Sequence, residues 1–319
     1  MGPQAGELGV DVPYVYEHEG HSRLMFIAFD GEGYRNGVAE SSDLLHWRRL
    51  PGEVFPWGPA GCWDAVNCAG TWILRENALV GPARLRRAGG RYWMAYHAYP
   101  ERGYETGPGA IGLASSDDLR TWQRAAVPAL RAEDGGSWEC GGLYKACLLE
   151  DEGTFYLFYN AKEARPPWRE SIGVAWSRDL GSWQRFPGNP LLTPAQAPPW
   201  CSRFVSDPCV LRLADGRWLM ALYGFDGVRA RDGWAVAPHP LGPWRLHPEP
   251  WLDVGRPGEI DAVHAHKPYL LVRDGCLYHF YCAVGPGRPG QPELGGTFRC
   301  LTAAMEPVAE CPWMDGACG

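Results

Sequence analysis

"SSDLLHW" at residues 41–47 recurs as "SSDDLRTW" at 115–122 and "SRDLGSW" at 177–183, and a degenerate copy, "PHPLGPW", stands at 238–244. The first three copies share the pattern S-x-D-L-x-x-W, and the final tryptophans are separated by 75, 61 and 61 residues. Such a recurrence indicates a chain built from repeated structural units. We expect each aspartate to cap a turn and each tryptophan to pack between units, which assigns a structural role to Asp43, Asp118, Asp179, Trp47, Trp122 and Trp183.

A second pattern accompanies the first and occurs five times. It is an apolar strand, a glycine-containing turn and an aromatic-rich strand, as in "YKACLLEDEGTFYLFYNAK" at 144–162 and "DPCVLRLADGRWLMALYGF" at 207–225. Alternation around such turns is the signal of a β-hairpin, and no stretch sustains a helical apolar period. The sequence therefore predicts an all-β, five-bladed β-propeller with four antiparallel strands per blade and its active site at the central axis. We expect one domain, 1–319, with blades near 10–50, 62–125, 136–186, 200–247 and 258–310.

Composition limits the classes of partner. A net charge of −7 and a pI near 5.7 argue against nucleic acid, which needs a basic surface. Apolar runs are too short to span a bilayer, and the first residues lack the features of a signal peptide, so a cytoplasmic protein without a membrane partner is expected. The 11 cysteines include no CxxC pair, which favours free thiols over zinc or a disulfide framework.

Acidic residues stand just before the first strand of most predicted blades, where a propeller converges on its axis. They are Asp11 in blade one, Glu139 in blade three, Asp207 in blade four and Asp261 in blade five. Cleavage of a glycosidic bond uses two carboxyl groups, one protonated and one ionised, and crowding acids in a partly dry pocket separates their pKa values. The predicted axial pocket is therefore suited to a carbohydrate substrate.

Lysine is rare, with three residues against 27 arginines, and all three lie in corresponding parts of blades. Lys145 and Lys267 fall in first strands and Lys162 ends a second strand. Each lysine either pairs with a neighbouring acid at the blade mouth or binds sugar hydroxyls or an anionic group of the ligand.

The five-blade pattern, the S-x-D-L-x-x-W repeats, "SDPCVL" and "SWEC" together resemble the five-bladed glycoside hydrolases of families 43, 32, 68, 117 and 130. This resemblance implies a glycosidase that acts on a small oligosaccharide or glycoside and requires no cofactor. The "WEC" motif matches the general acid of family 32, which implies that role for Glu139. The first-blade Asp-Pro motif of the base or nucleophile corresponds to Asp11, although Val12 interrupts the pair.

The sequence departs from the family pattern in the second blade. The Arg-Asp-Pro motif corresponds to Val80-Gly81-Pro82, so the carboxylate that tunes the acid is absent there. Asp207 in "SDP", or Asp64 in "GCWDAVN", is the candidate to replace it.

Other candidate ligand contacts come from blade five and from loops. His264 and His266 alternate on one strand and so point to one face, where they bind substrate or, by the family resemblance, lie near an axial structural calcium. The alternative for both is a hydrogen bond between blades. Aromatic sugar subsites are expected at Trp63, Tyr104, Trp168 and Trp200, each of which could instead anchor its loop, and the weaker candidates are Arg102, Glu105 and Glu170. His97 and His279 are expected to be packing residues.

Two other functions compete with hydrolysis. A phosphorylase resembling family 130 would hold inorganic phosphate with the lysine and the two histidines of "HAHK" at 264–267. A non-catalytic carbohydrate-binding propeller would account for the absent second-blade aspartate. The sequence leaves the sugar, the anomeric outcome and the oligomeric state open.

Overall fold

The computed structural model describes residues 1–311 and Trp313, and its 19 strands make the protein all-β, which confirms the predicted class. The strands follow one another in five groups. Group one contains β1 (Gly9–His18), β2 (His21–Phe29), β3 (Tyr34–Ser41) and β4 (Arg48–Arg49). Group two contains β5 (Asn67–Ile73), β6 (Tyr92–Tyr99), β7 (Ala110–Ser116) and β8 (Gln123–Arg124). Group three contains β9 (Gly142–Asp151), β10 (Thr154–Lys162), β11 (Glu170–Ser177) and β12 (Gln184–Arg185).

Group four contains β13 (Phe204–Arg212), β14 (Trp218–Phe225), β15 (Ala230–Ala237) and β16 (Arg245–Leu246), and group five contains β17 (His264–Arg273), β18 (Cys276–Pro286) and β19 (Thr297–Pro307). Within each group, consecutive strands pair antiparallel. A parallel pairing of Glu170 with Phe204 joins groups three and four. The first residue of the protein meets the last group, because the backbone nitrogen of Leu301 on β19 donates to the carbonyl of Met1 at 2.8 Å.

Among residues 1–311, helical structure is confined to four short 3₁₀ turns, at Ala132–Asp134, Pro194–Gln196, Pro199–Cys201 and Val308–Glu310. Within the described part of the chain, therefore, no helix has the length and apolar character needed to cross a membrane. The cysteines in that part of the chain are free thiols, as predicted, and most are buried.

The S-x-D-L-x-x-W repeats form the same turn three times. In the first copy, Asp43 Oδ1 accepts hydrogen bonds from the backbone nitrogens of Leu45 and His46 at 2.9 and 2.8 Å. Asp118 and Asp179 repeat these contacts in the second and third copies. The aspartates therefore cap turns, as the sequence predicted.

Two of the repeat tryptophans pack against a neighbouring group. The Trp47 ring of group one lies 6.1 Å from Phe280 of group five, and the Trp244 ring of group four lies 6.1 Å from Phe158 of group three. These edge-to-face contacts join group one to group five and group three to group four. The predicted packing role is confirmed for Trp47, and Trp244 of the degenerate copy makes the same kind of contact.

A register shift interrupts the first strand of every group. It lies between Asp11 and Tyr14 in β1 and at corresponding places in β5, β9, β13 and β17. An irregularity of this kind bends a strand and redirects a side chain. In four of the five strands a non-glycine residue at the shift has a left-handed backbone, namely Val12, Lys145, Asp207 and Lys267, with φ of 54°, 36°, 53° and 65°.

The core of the molecule begins directly after these shifts. Tyr14 of β1, Trp72 of β5 and Tyr269 of β17 are buried, and their ring centroids lie 4.9 to 5.6 Å apart. Three first strands therefore meet at one point, with the redirected residues immediately before it. This arrangement positions the site.

Candidate active site

The four left-handed residues of the first strands line a single cavity, although they lie far apart in the sequence. The other lining residues are Ile27, Tyr34, His97, Tyr99, Glu105, Tyr144, Asn160, Glu170 and Tyr223. A left-handed backbone costs a non-glycine residue on the order of 1–3 kcal/mol, and such strain is concentrated at functional sites. The structure thus brings Asp207, Lys145 and Lys267 together, three residues that the sequence singled out from different repeats.

Glu170 is the cavity's principal candidate for an acid. It begins β11, is 7% exposed, and its Oε2 accepts hydrogen bonds from Ser206 Oγ at 2.7 Å and Asn160 Nδ2 at 3.2 Å. Burial, with the added negative charge of Glu105, raises the pKa of Glu170 to about 7. A carboxyl group with such a pKa keeps a substantial protonated fraction at neutral pH and can donate that proton.

Ser206 joins Glu170 to a second carboxyl group. Its Oγ lies 3.2 Å from Asp207 Oδ1, and Asp207 is 4% exposed. Burial raises the pKa of Asp207, although the charges of Lys267 and Lys145 oppose the shift. Since a hydroxyl carries one proton, Ser206 donates to one carboxylate at a time and can accept from the other when that group is protonated.

Asp11 is engaged with groups of the protein. Its Oδ2 accepts from Lys267 Nζ at 2.7 Å and from Tyr104 OH at 3.2 Å, while its Oδ1 accepts from the Val12 backbone nitrogen at 2.9 Å. Burial alone would raise the pKa of Asp11, but the positive charges around it, led by Lys267, hold that pKa well below its usual range. Asp11 and Lys267 are both at least 94% buried. Asp11 is not among the residues that line the cavity.

Glu105 lies on the loop between β6 and β7 and reaches the same cavity. Its Oε1 is 3.6 Å from Lys267 Nζ, its side chain is 40% exposed, and its φ of 53° is left-handed. The loop is attached to group one, since the Gly103 nitrogen donates to the Glu32 carbonyl at 2.8 Å. The cavity volume is ≈ 20 Å³, which is smaller than a sugar ring.

The structure places Glu139 outside this cavity. It is 1% exposed, and its carboxylate accepts from Arg185 Nε at 3.0 Å and from Tyr159 OH at 3.1 Å. Asp64 has the same environment in group two, where it accepts from Tyr96 OH at 2.9 Å and Arg124 Nη1 at 3.3 Å.

Asp261 continues the series in group five by accepting from Tyr281 OH at 2.7 Å. Glu139, Asp64 and Asp261 therefore tie a loop to the strands of its own group, and their predicted contact with substrate has no counterpart in the cavity. The acid role of Glu139 stays a prediction drawn from resemblance, because its side chain is already bound by an arginine and a tyrosine.

Of the predicted aromatic and histidine contacts, two lie within the fold and not at the cavity. Trp63 stacks on Tyr96 at 5.4 Å between ring centroids, and Gly112 lies so close that an added Cβ would be 2.6 Å from the indole. His264 Nδ1 accepts from the Ala230 nitrogen at 3.1 Å, and burial lowers the pKa of His264 to about 4. Trp63 and His264 therefore connect elements of the fold.

The remaining candidates lie nearer to the cavity. His266 is buried, its Nδ1 lies 3.1 Å from the Cys282 carbonyl, and burial followed by the charge of Lys267 holds its pKa well below the usual range. Lys162 Nζ lies 5.4 Å from the ring centroid of Tyr144, which lines the cavity, and 4.8 Å from that of Trp168, which is 41% exposed. Lys162 and Trp168 thus stand between Tyr144 and the surface.

No set of three His, Cys, Asp or Glu side chains within residues 1–311 is grouped closely enough to hold a metal ion. The structure therefore supplies no such ligand set for the axial calcium expected near His264, which stays a prediction.

Comparison with known proteins places this geometry among carbohydrate-active enzymes. The model of the glycosyl hydrolases family 32 N-terminal domain matches residues 75–228. A levanase of Bacillus sp. (strain L7) is 32% identical over 120 residues, which are 35% of this chain but only 12% of the levanase.

Solved structures extend the likeness to nearly the whole chain. One, described as a complex of BT0996 with RGII, is 27% identical, with a TM-score of 0.82 over 97% of this chain and 90% of its own. Another, described as a glycoside hydrolase, is 26% identical with a TM-score of 0.81 over the same shares. The chain is related to the glycoside hydrolases. The predicted resemblance to the glycoside hydrolases is confirmed at this level, and the matches support the predicted glycosidase activity.

A thermostable family-43 glycoside hydrolase, 22% identical with a TM-score of 0.64, shares the fold. The family 32 match includes Glu105, Glu170 and Asp207 but ends before Lys267. The family 32 match therefore covers the central part of the chain, and strand groups one and five lie outside it.

Proposed function

We propose that the protein is a glycosidase that cleaves a glycosidic bond of a small oligosaccharide or glycoside in this cavity, with Glu170 as general acid. The observation that carries the proposal is the buried Glu170 carboxyl, whose pKa is raised to about 7 in a cavity that contains other carboxyl groups. Protonation of the leaving oxygen requires such a group, and a second carboxylate must stand nearby.

Glu105 is our candidate for the second carboxylate. It lines the cavity, and its charge is the second cause of the raised pKa of Glu170, so the two groups interact electrostatically. Asp11 is already bonded to Lys267, Tyr104 and its own backbone, whereas the one polar contact of Glu105 among the described residues is the 3.6 Å ion pair with Lys267, and its side chain is partly exposed. In the reaction Glu105 attacks the anomeric carbon or removes a proton from the attacking water.

Asp207 and Ser206 support the acid. The negative charge of Asp207 contributes to the raised pKa of Glu170, and the Ser206 hydroxyl lies between the two carboxyls at 2.7 and 3.2 Å. We assign both as positioning residues, because each acts on the leaving group through Glu170.

The same proposal includes the architecture. The five strand groups, the contact of Met1 with β19 and the meeting of three first strands at Tyr14, Trp72 and Tyr269 support a closed five-bladed propeller. Its axis would pass through the cavity.

The test compares Glu170→Gln, Glu105→Gln and Glu139→Gln on a panel of aryl glycosides. We expect the first two to lose activity by roughly 10²–10⁴-fold, the range contributed by one acid–base group, while Glu139→Gln retains kcat in the folded fraction. A dinitrophenyl leaving group needs no protonation, so it should restore cleavage in Glu170→Gln but not in Glu105→Gln. Full activity of Glu170→Gln on substrates with poor leaving groups would refute the assignment.

A further inference from the structure

Lys145 is a buried cation that forms no ion pair and no side-chain hydrogen bond among the described residues. It is 3% exposed and lines the cavity. Among residues 1–311 and Trp313, no carboxylate lies within 4.0 Å of its Nζ and no hydrogen bond joins that Nζ to a protein acceptor. Lys267, in the corresponding position of β17, is neutralised by Asp11 at 2.7 Å. Since a buried ammonium without a partner is costly, its partner is expected to come from a ligand.

His97 supplies a second donor beside Lys145. The Lys145 backbone nitrogen donates to His97 Nδ1 at 3.2 Å, which fixes the proton of the neutral ring on Nε2. Burial, with the charges of Lys267 and Lys145, lowers the pKa of His97 to about 3, so the ring is neutral near pH 7. His97 lines the cavity, and its Nε2 has no hydrogen-bond acceptor among the described residues.

Two tyrosines extend this donor side. Tyr34 and Tyr99 line the cavity with hydroxyls that have no partner in the described part of the chain. Their rings contact His97 at 6.4 and 5.2 Å between centroids. Burial holds the pKa of each phenol well above its usual value, so both remain protonated. Lys145, His97, Tyr34 and Tyr99 thus all line the cavity, and each carries a donor without an acceptor among the described residues.

The carboxyl groups are engaged elsewhere in the cavity. Glu170 is bonded to Asn160 and Ser206, Asp207 to Ser206, and Asp11 to Lys267. Within the described part of the chain, none of them forms a hydrogen bond or an ion pair with the side chain of Lys145 or His97, although the charge of Lys145 reaches Asp207 and lowers its pKa. A carboxylate on a ligand could accept hydrogen bonds from Lys145 and His97 without displacing the bonds of these carboxyl groups. A ligand hydroxyl in the same place would leave the charge of the Lys145 ammonium unneutralised.

We propose that the cavity binds a sugar that carries a carboxylate, a uronic acid, with this carboxylate on Lys145 Nζ and His97 Nε2. The inference rests on the proposed glycosidase and deepens it by naming the substrate class. The same donors could take inorganic phosphate, the anion that a phosphorylase would use, so the experiment includes it as a separate probe.

Binding is measured by isothermal titration calorimetry with the Glu170→Gln protein, in which turnover does not interfere. The probes are glucuronic and galacturonic acid, the matching neutral sugars glucose and galactose, and inorganic phosphate. One of the acids should bind about ten- to a hundred-fold more tightly than its neutral counterpart, the gain of a charge-assisted hydrogen bond. Adding Lys145→Met should remove that preference and leave the affinity for the neutral sugar nearly unchanged.

Equal affinity for each acid and its neutral counterpart overturns the proposal. This comparison is made without any substitution at Lys145, so it remains decisive even if the Lys145→Met protein does not fold. Lys145-dependent binding of phosphate but not of a uronic acid also overturns it. Cleavage of neutral aryl glycosides without acid preference would leave the glycosidase standing and remove the carboxylate site. Lys145-dependent acid binding without cleavage of any glycoside by the unmodified protein would support the carboxylate site and refute the glycosidase.

Discussion

Replacing Lys267 with methionine should destabilise the protein in a pH-dependent way. Lys267 and Asp11 are 6% and 4% exposed and are joined at 2.7 Å, so the substitution leaves a carboxylate buried without its counter-ion. Breaking a buried pair in this way costs about 3–5 kcal/mol. Asp11 keeps the hydrogen bonds from Tyr104 OH and the Val12 nitrogen, which places the expected loss near the lower end of that range.

The pH dependence follows from the direction of the pKa shift. In the native protein the pKa of Asp11 lies below its usual 3.8, so its contribution to stability is complete above about pH 4 and is lost as the pH falls further. Without Lys267, the leading cause that lowers the pKa of Asp11 is gone while burial still opposes ionisation, so that pKa rises. The folded variant then binds more protons than the folded native protein, so its deficit in unfolding free energy should grow as the pH rises from 4 to 7.

Urea unfolding followed by tryptophan fluorescence between pH 4 and 8 measures this deficit, and the double variant Asp11→Asn/Lys267→Met provides the control. Because the double change removes both charges, it should cost less than the sum of the single changes by about 2 kcal/mol or more. A deficit below about 1 kcal/mol, constant with pH and additive with Asp11→Asn, would refute the account of this pair.

Three further predictions concern the acid and the packing around it. Since the pKa of Glu170 is raised to about 7, kcat/KM should fall as the pH rises through that value, and a profile that stays flat to pH 9 would exclude Glu170 as the acid. Ser206→Ala removes a hydrogen bond that lowers this pKa, so the falling limb should move to higher pH by about one unit, measured against an unchanged melting temperature. Gly112→Ala should reduce the unfolding free energy by about 1–3 kcal/mol because its Cβ would meet Trp63 at 2.6 Å, while Gly181→Ala, with its nearest neighbour at 3.6 Å, should be nearly neutral in the same urea titration.

The repeats were readable because they act locally. The aspartate of "SSDLLHW" bonds to nitrogens two and three residues away, and hairpin patterns pair adjacent segments. Short-range contacts of this kind are visible in a linear pattern. The class of fold and the structural role of the repeat aspartates could therefore be predicted without coordinates.

The candidate site was only partly predictable. The scarcity of lysine pointed correctly to Lys145 and Lys267 as unusual residues, and their places in first strands brought both to the cavity. Glu105 and Glu170 had stood among the weaker candidates and His97 among packing residues, yet all three line the cavity. Nothing in the local sequence separates Glu170, at the start of β11, from the other charged residues of the loop before it.

Glu139 shows the reverse. Its motif suggested an acid, but Arg185, 46 residues away, and Tyr159 occupy its carboxylate. Asp64 and Asp261 occur in comparable settings, and only the coordinates reveal that the three share a tyrosine partner from the second strand of their own group.

The sequence by itself determined the number of hairpin repeats and the turns between them, because these depend on neighbours along the chain. It also showed two rare lysines at equivalent positions of the repeats. The tertiary structure alone decided which side chains face the cavity and which charges are paired there. The register shifts turn Val12, Lys145, Asp207 and Lys267 inward through left-handed backbones. Whether a lysine among them is neutralised then depends on a contact across 256 residues, which Lys267 has with Asp11 and Lys145 lacks among the described residues.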